Sequence, residues 1–394
     1  MDLEKIELIK EVWKERKHRK YKPRSIVLKL GTNCNLRCDY CYVEHRNQDD
    51  SLDIELVQKL FDELMDENDC TVNCCFHGGE PFLYFDKMKE IVTLLSTKPY
   101  AQQIKYSCQS NGTLLTEEIV KFINKNGIAI GISIDGPKEV NDMHRKYKNA
   151  LGSFDEIIAG IKLLLREHIS FSVLSVLTNE NSGYIIETLD FLKSIGIDSV
   201  DLKPCFGTYE YEEGFEAEKY AECMIKVIDW LVRNNTKNTK LLVREIEMYT
   251  NLILRKQNIA GWYECRSMCD LLNCGAGREH ITLDTDGSVY ICDRLYGHKE
   301  FVLGNIQSEC LDVIMSNSLI QKFLDRQISK IAGCCDCEMN TICFLGCPAT
   351  NILMNAGDID AINIKPGYCT YYSKIITKLS EEIKNGNYKK LIKI

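Results

Sequence analysis

The chain has no long apolar run, little proline and no excess of positive charge, and these absences exclude several classes of protein. No run of roughly 18 apolar residues occurs, so the sequence predicts no transmembrane helix. Only 7 prolines and 24 glycines are present, which excludes collagen-like and proline-rich low-complexity chains. The formal net charge is −8, so we expect no bulk attraction to nucleic acid or to a membrane surface. The first residues lack the apolar segment of a secretion signal, and we expect a cytoplasmic protein.

Cysteine, in contrast, is abundant, with 20 residues in the chain. In a cytosolic protein of this size, metal sites explain such usage better than disulfide bonds do. The rest of the composition, with 45% apolar and 27% charged residues, is ordinary for a globular protein of two or three domains. Eleven cysteines lie from Cys265 to Cys369, which predicts a second, metal-rich domain.

A repeating strand–helix rhythm follows the first 24 residues. Buried apolar runs of strand length alternate with amphipathic helical patterns, which predicts a parallel α/β sheet with right-handed crossovers. The predicted strands are 26–30, 72–76, 104–108, 128–134, 171–177 and 199–203. The predicted helices are 54–65, 85–95, 117–125, 154–166, 183–194, 215–234 and 241–256.

Domain boundaries are predicted from this rhythm and from the distribution of cysteine. We expect a charged helix within residues 1–24 and an α/β domain in 25–210. A helical bridge in 211–262 would then lead to a cysteine-rich domain with a C-terminal helix in 263–394.

Three cysteines, Cys34, Cys38 and Cys41, form a Cys-x3-Cys-x2-Cys motif shortly after the first predicted strand. Soft thiolates at this spacing suit an iron–sulfur cluster or zinc. Structural zinc usually requires a fourth ligand in a closed tetrahedron, and this loop offers none. The motif therefore favours an iron–sulfur cluster with one iron left open for chemistry.

A second motif, Gly78-Gly79-Glu80-Pro81, follows the second predicted strand. Together the two motifs resemble those of the radical S-adenosylmethionine (SAM) enzymes. The resemblance implies a partial (β/α)6 TIM-like barrel in which SAM chelates the open iron and is cleaved to a 5′-deoxyadenosyl radical. The second motif would hold the methionine amino group, since glycines allow close backbone approach and a carboxylate offsets an ammonium. We therefore expect Gly79→Val to weaken SAM binding without removing iron.

Four further residues match SAM-contacting positions of these enzymes. The resemblance implies that Tyr40 approaches the adenine and that Ser133 and Arg145 contact the nucleoside and the carboxylate, as in sulfatase-maturase relatives. Ser133 by itself also fits a routine strand residue. Asn111 lies in the loop after the third strand, where a ligand contact and a simple turn are both open.

The C-terminal cysteines resemble the seven-cysteine SPASM domain, which holds two auxiliary 4Fe-4S clusters in enzymes that modify peptides and proteins. The matching positions are Cys274, Cys292, Cys334, Cys337, Cys343, Cys347 and Cys369. A structural zinc site is the alternative, because Cys-x2-Cys is also a zinc-knuckle element.

The same resemblance implies how these cysteines divide between the two auxiliary clusters. One cluster would take Cys274, Cys292, Cys347 and an upstream cysteine, for which Cys269 is the better candidate and Cys265 the competitor. The other cluster would take Cys334, Cys337, Cys343 and Cys369. With the first motif, the resemblance implies three 4Fe-4S clusters.

Asp293 follows Cys292 directly and is the candidate catalytic residue. In the anaerobic sulfatase maturases, which it resembles here, an aspartate at this point is proposed as the general base. A carboxylate beside a cluster is suitably placed to accept a proton. A solvent-facing turn residue after a metal ligand is the other interpretation.

These observations predict a radical SAM enzyme that abstracts a hydrogen atom from a residue of a ribosomally made peptide. The bond formed could be a thioether, a carbon–carbon crosslink or an epimerised centre. Oxidation of cysteine or serine to formylglycine in a sulfatase is the alternative. An iron–sulfur electron carrier is the alternative of another class, although a carrier does not need the motif at residues 78–81. The expected partners are a peptide or protein substrate and a reductant such as flavodoxin or ferredoxin.

Overall fold

The structure is a computed structural model that describes residues 22–43, 50–66, 70–205, 216–254, 274–343 and 345–393. The predicted helix near the N-terminus, Cys265 and Cys269 lie outside these residues.

One sheet of ten strands forms the centre of the described molecule. Its strands are β1 (Ser25–Lys29), β2 (Val72–His77), β3 (Ile104–Ser110), β4 (Ala129–Ser133), β5 (Phe171–Leu177), β6 (Ser199–Pro204), β7 (Leu242–Val243), β8 (His280–Leu283), β9 (Ser288–Tyr290) and β10 (Val302–Asn305). The spatial order is β10-β9-β8-β1-β2-β3-β4-β5-β6-β7. Strands β1 to β7 pair in parallel, so the loops that follow them gather at one edge.

Amphipathic helices connect these strands and bury their apolar faces in one cluster with the sheet. The α-helices are Ile54–Met65, Phe85–Ser96, Glu117–Asn126, Lys138–His144, Phe154–Arg166, Ile185–Ser194, Ala217–Asn234, Arg244–Leu254, Leu311–Met315, Ser318–Leu324, Asn340–Cys343, Pro348–Met354 and Cys369–Lys384. Local capping explains several boundaries: the Thr116 side chain accepts from Ile119 N, and Gly127 ends the same helix at φ 61°. No helix in the described part of the chain is long and apolar enough to span a bilayer.

The predicted α/β fold is confirmed, and all six predicted strands are present within two residues of their predicted ends. Three helices begin later than predicted, at Ile185, Ala217 and Arg244. Residues Asn181–Tyr184 form a 3-10 turn before Ile185, and Leu242–Val243 pair with β6 before the helix starts at Arg244.

The sheet continues across the boundary predicted at residue 263. Strand β8 pairs in parallel with β1, so that Ser25 lies beside His280 and Leu28 beside Leu283. Strands β9 and β10 extend the sheet antiparallel. The cysteine-rich segment is therefore joined by backbone hydrogen bonds to the first strand of the barrel-like sheet.

Candidate active site

The loop after β1 carries Cys34, Cys38 and Cys41 at the edge where the parallel strands end. The backbone N–H of Leu36 donates to Cys34 Sγ at 3.4 Å, and Cys41 N donates to Cys38 O at 3.0 Å. Burial, together with the charges of Glu80 and Cys41, raises the pKa of Cys34 to about 12. Burial also raises the pKa of Cys38, with Cys41 and Cys34 adding to the shift while Arg145 opposes it. Three thiolates this close together need bound positive charge, which an iron–sulfur cluster supplies.

The glycines of the second motif pack directly against the loop that precedes Cys34. Gly79 N donates to Gly31 O at 3.0 Å, and Glu80 N donates to Asn33 O at 2.9 Å. A Cβ on Gly78 would lie 2.3 Å from Gly31 O, and one on Gly79 would lie 2.1 Å from Asn33 O. Gly78 also has a φ of +135°, a conformation that L side chains rarely adopt. Glycine at these positions is therefore required by contact between the two loops.

Glu80 is buried and accepts three hydrogen bonds from its own chain. Oε1 accepts from Ser110 Oγ at 2.8 Å and from Phe82 N at 3.1 Å, while Oε2 accepts from Asn111 N at 2.8 Å. Burial raises the pKa of Glu80 to about 7, although these hydrogen bonds oppose the shift. Pro81 begins the 3-10 helix that follows. The carboxylate, expected to face an ammonium, thus also ties the loop after β2 to the loop after β3.

Asn111 links the same region to the first cysteine. Its Nδ2 donates to Asn35 Oδ1 at 2.9 Å and lies 3.7 Å from Cys34 Sγ. Its Oδ1 accepts from Thr113 N at 3.0 Å, which is the turn geometry expected of asparagine. Both interpretations of Asn111 are therefore compatible with its position.

Tyr40 and Arg145 meet at one buried carboxylate, that of Asp135. Arg145 donates to it from Nε at 3.0 Å and from Nη2 at 3.2 Å, and the Tyr40 hydroxyl donates to Oδ2. The guanidinium also lies over the Tyr40 ring, 5.5 Å from its centroid. The sequence prediction assigned no role to Asp135, although an acidic residue that ends a buried strand is a usable signal.

Ser133 lies at the end of β4, where its Oγ accepts from Gln109 Nε2 at 2.9 Å. Gln109 is on the neighbouring strand β3, opposite Gly131. Ser133 is thus at the correct edge of the sheet, with a protein partner for its hydroxyl.

Asp293 lies in a charged and aromatic cluster at the end of β1. Lys29 Nζ is 2.6 Å from Asp293 Oδ1, and the Tyr42 hydroxyl donates to Oδ2 at 2.6 Å. Burial alone would raise the pKa of Asp293, but the Lys29 charge and these hydrogen bonds hold it well below its usual range. Asp293 lies in a 3-10 turn after Cys292, and its side chain is half-buried and ion-paired.

Lys29, which the sequence prediction did not assign a role, has its ammonium fully buried among aromatic rings. It lies 4.4 Å from the centroid of the Tyr296 ring and 5.1 Å from that of Tyr42, and 3.4 Å from His77 Nδ1. Lys29 and His77 are paired in the register of β1 and β2. The sequence feature that could have indicated a role for Lys29 is its place within an otherwise apolar strand.

Four C-terminal cysteines, Cys334, Cys337, Cys343 and Cys369, lie within electrostatic range of one another. Burial, together with the charges of Cys337, Cys334 and Cys369, raises the pKa of Cys343 to about 11. Burial likewise raises the pKa of Cys334, with Cys369 and Cys337 contributing. This grouping is the set of four that the sequence prediction assigned to one auxiliary cluster.

The other predicted set has three cysteines among the described residues. The loop of Cys274 lies beside Cys292, because Gly277 N donates to Ile291 O at 2.8 Å. Cys274 and Cys347 both lie near the Arg326 guanidinium, whose pKa is lowered by burial against the effect of those two thiols.

A 4Fe-4S cluster places each thiolate on a different iron, so its ligands surround the cluster instead of meeting at one point. Within the described ranges, no three Cys, His, Asp or Glu side chains converge on a site for a single metal ion. The dispersed thiols are compatible with clusters at all three places.

Comparison with known proteins identifies two families along the chain. A family model described as the Radical SAM superfamily matches residues 28–192, from β1 to the helix that follows β5. A second, described as an iron-sulfur cluster-binding domain (SPASM), matches residues 274–338.

Relatives with similar sequences and structures cover most of the chain. The sequence is 25% identical over 342 residues to the cysteine-type anaerobic sulfatase-maturating enzyme of Clostridium novyi, covering 83% of this chain and 88% of that protein. The structure of anSMEcpe with bound AdoMet and Kp18Cys peptide matches with a TM-score of 0.78 at 22% identity, over 93% of this chain and 99% of the other. Streptococcus suis SuiB bound to its precursor peptide SuiA matches with a TM-score of 0.66 at 17% identity, over 91% and 78%.

Proposed function

We propose, from the premise that the chain is an enzyme of the radical SAM superfamily with a C-terminal SPASM domain, that it oxidises a side chain in a peptide segment of another protein. The favoured reaction is oxidation of a cysteine or serine to an aldehyde (formylglycine), which is supported by the similarity to a relative named a cysteine-type anaerobic sulfatase-maturating enzyme. The observation that carries the proposal is the half-buried Asp293 carboxylate, held by Lys29 and Tyr42 beside the loop of the first three cysteines.

The cofactors follow from the thiol groups described above. The cluster that binds SAM would be held by Cys34, Cys38 and Cys41. The cluster and SAM together supply, when bound, a radical that removes a hydrogen atom from the substrate. SAM would be surrounded by residues of four loops and strand ends: Tyr40, Gly78, Gly79, Glu80, Pro81, Asn111, Ser133 and Arg145. The two auxiliary clusters would be held by Cys334, Cys337, Cys343 and Cys369, and by Cys274, Cys292 and Cys347 with Cys269 or Cys265.

Asp293 would accept the proton that leaves the substrate side chain. Together with the hydrogen atom taken by the radical, this loss leaves one excess electron on the substrate, which an auxiliary cluster would accept. The product is then an aldehyde from serine, or a thioaldehyde from cysteine that water converts to the aldehyde with release of hydrogen sulfide. Tyr42 and Lys29 orient the carboxylate. When the carboxylate is protonated, the Tyr42 hydroxyl can reorient its own proton. Because the Lys29 ammonium stabilises the anionic form, proton acceptance at Asp293 is unfavourable unless the substrate loosens this ion pair. We therefore expect bound peptide to displace Lys29 from Asp293.

Modification of a ribosomally made precursor peptide is the second candidate. It is favoured by the likeness in fold to SuiB, whose structure holds a precursor peptide, and by the aromatic run that follows Pro81. Both reactions need a peptide substrate and an external reductant, for which flavodoxin or ferredoxin is proposed.

The reactions are distinguished with the anaerobically reconstituted enzyme, SAM and dithionite. It is incubated with a cysteine-containing sulfatase peptide, with its serine counterpart, and with precursor peptides encoded near the gene. An aldehyde that is trapped by a hydrazine supports the first proposal. A crosslinked or epimerised precursor peptide with no aldehyde from either sulfatase peptide would replace it by the second.

A further inference from the structure

The carboxylate of Asp135 is the most heavily engaged acceptor near the first three cysteines. It is 1% exposed and receives two hydrogen bonds from Arg145, one from the Tyr40 hydroxyl and one from Val176 N at 2.9 Å. These donors belong to three separate segments: the loop after β1, the end of the helix Lys138–His144, and β5. One side chain therefore fixes the relative position of all three.

Arg145 depends on this carboxylate more than the other donors do. It is 5% exposed, and a buried guanidinium requires an anionic partner because removing one member of such a pair leaves an uncompensated charge. The two-point contact through Nε and Nη2 also fixes the plane of the guanidinium. It uses two of the five N–H donors of an arginine and so determines the direction in which the remaining ones point.

We infer that Asp135 is a positioning residue that orients Arg145 for the carboxylate of SAM. The inference rests on the proposed function, in which Arg145 contacts SAM. Asp135 itself is surrounded by its own chain and acts through Arg145. Its effect should therefore appear in SAM affinity and should vanish when Arg145 is absent.

The test is a double-mutant cycle on the reconstituted enzyme, with the SAM dissociation constant measured anaerobically by equilibrium dialysis. Asp135→Asn and Arg145→Gln should each weaken SAM binding by about tenfold or more, the loss expected for a charge-assisted contact. The double variant should bind SAM within about twofold of Arg145→Gln alone, since coupled residues are not additive.

Asp142→Asn is the matched control on the same helix. The Asp142 carboxylate accepts from Ser153 N and Phe154 N at 3.0 Å each, whereas the ion pair of Arg145 is with Asp135. This variant should lower the thermal midpoint without changing SAM affinity. A loss of SAM affinity equal to that of Asp135→Asn would mean that general destabilisation explains both, and would overturn the inference.

If Asp135→Asn alone does not fold, Asp135→Glu takes its place in the cycle, because it keeps the buried charge and shifts the carboxylate that fixes the guanidinium. A loss of SAM affinity in this single variant that disappears in the Arg145→Gln background supports the inference, whereas a further tenfold loss in the double variant would overturn it. A wild-type enzyme that binds no SAM and forms no 5′-deoxyadenosine would instead reject the proposed function. Wild-type binding together with unchanged binding by folded Asp135→Asn rejects only the role of Asp135.

Discussion

At the scale of single residues, one half-buried and one fully buried carboxylate have pKa values displaced in opposite directions. Burial favours the neutral acid in both, and the neighbouring groups decide the outcome. Asp293 has the Lys29 ammonium at 2.6 Å, which keeps it anionic. Glu80 is held by neutral donors alone, and its pKa rises to about 7. Asp293 therefore stabilises the fold at neutral pH and loses that contribution in strong acid. Glu80 stabilises the fold in acid and loses that contribution as the pH rises towards 7.

The pH dependence of Glu80 gives a prediction for stability. Between the ordinary glutamate pKa and about 7, the unfolded chain releases a proton that the folded chain keeps, so stability falls as pH rises. Relative to the wild type, Glu80→Gln should therefore gain up to about 3 kcal/mol between pH 5 and pH 8, measured by thermal unfolding. Glu118→Gln, on an exposed helix face, is the control. A stability difference independent of pH would contradict the raised pKa.

The proposed role of Asp293 predicts a separation of two activities. Asp293→Asn keeps the size of the side chain but cannot accept a proton, and loss of a general base typically costs about 10²–10⁴-fold in rate. Formation of 5′-deoxyadenosine, which depends on the cluster held by Cys34, Cys38 and Cys41 and on bound SAM, should remain largely intact. Both products are measured by liquid chromatography with the substrate identified above. Asp286→Asn, in the exposed turn between β8 and β9, should change neither, and wild-type product formation by Asp293→Asn would reject the base.

At the scale of elements, the structure changes the expected effect of a substitution in the glycine motif. The sequence predicts that a side chain at Gly79 weakens SAM binding and leaves iron in place. The contact of 2.1 Å between a Cβ at Gly79 and Asn33 O shows that the loop bearing Cys34 must also move. Gly79→Ala should therefore lose iron from the first cluster as well as SAM affinity.

The matched control for this element is Gly183→Ala. A Cβ there meets nothing within 4 Å, and the residue lies in the 3-10 turn before the helix Ile185–Ser194. Iron and SAM binding are measured on both variants after identical reconstitution. Full iron content in Gly79→Ala with reduced SAM affinity would restore the expectation from sequence.

Sequence patterns predicted the local elements well and the long-range ones poorly, for a physical reason. Each of the first six strands carries its own apolar positions, continuous in β1 and alternating in β2 and β6, so its pattern is visible without knowing its partner. Strands β8 to β10 have three or four residues each, and β8 is positioned by β1, which is distant in the chain. The cluster of Lys29 and Asp293 depends on that pairing, so the sequence could give Asp293 a role but could not give it a partner.

At the scale of the whole molecule, the cysteines predict the iron content and its division. Reconstituted enzyme should bind about twelve irons, four for each of three 4Fe-4S clusters. Replacing Cys34, Cys38 and Cys41 by Ala should leave about eight irons, because the C-terminal thiols form groups of their own. The same variant should form no 5′-deoxyadenosine, since only the first motif leaves an iron open to SAM.

The matched control is replacement of Cys74, Cys108 and Cys223 by Ala, since these buried thiols belong to no cysteine motif. It should keep all the iron and the cleavage of SAM, with a loss of stability only. Iron is measured by colorimetric assay and nucleoside by chromatography on the same samples. About eight irons in the wild type, or stoichiometric zinc, would reject the assignment of two auxiliary clusters. Cleavage of SAM by the variant that lacks Cys34, Cys38 and Cys41 would place the open iron elsewhere. Radical formation requires a cluster, and this variant has lost the three thiols proposed to hold it.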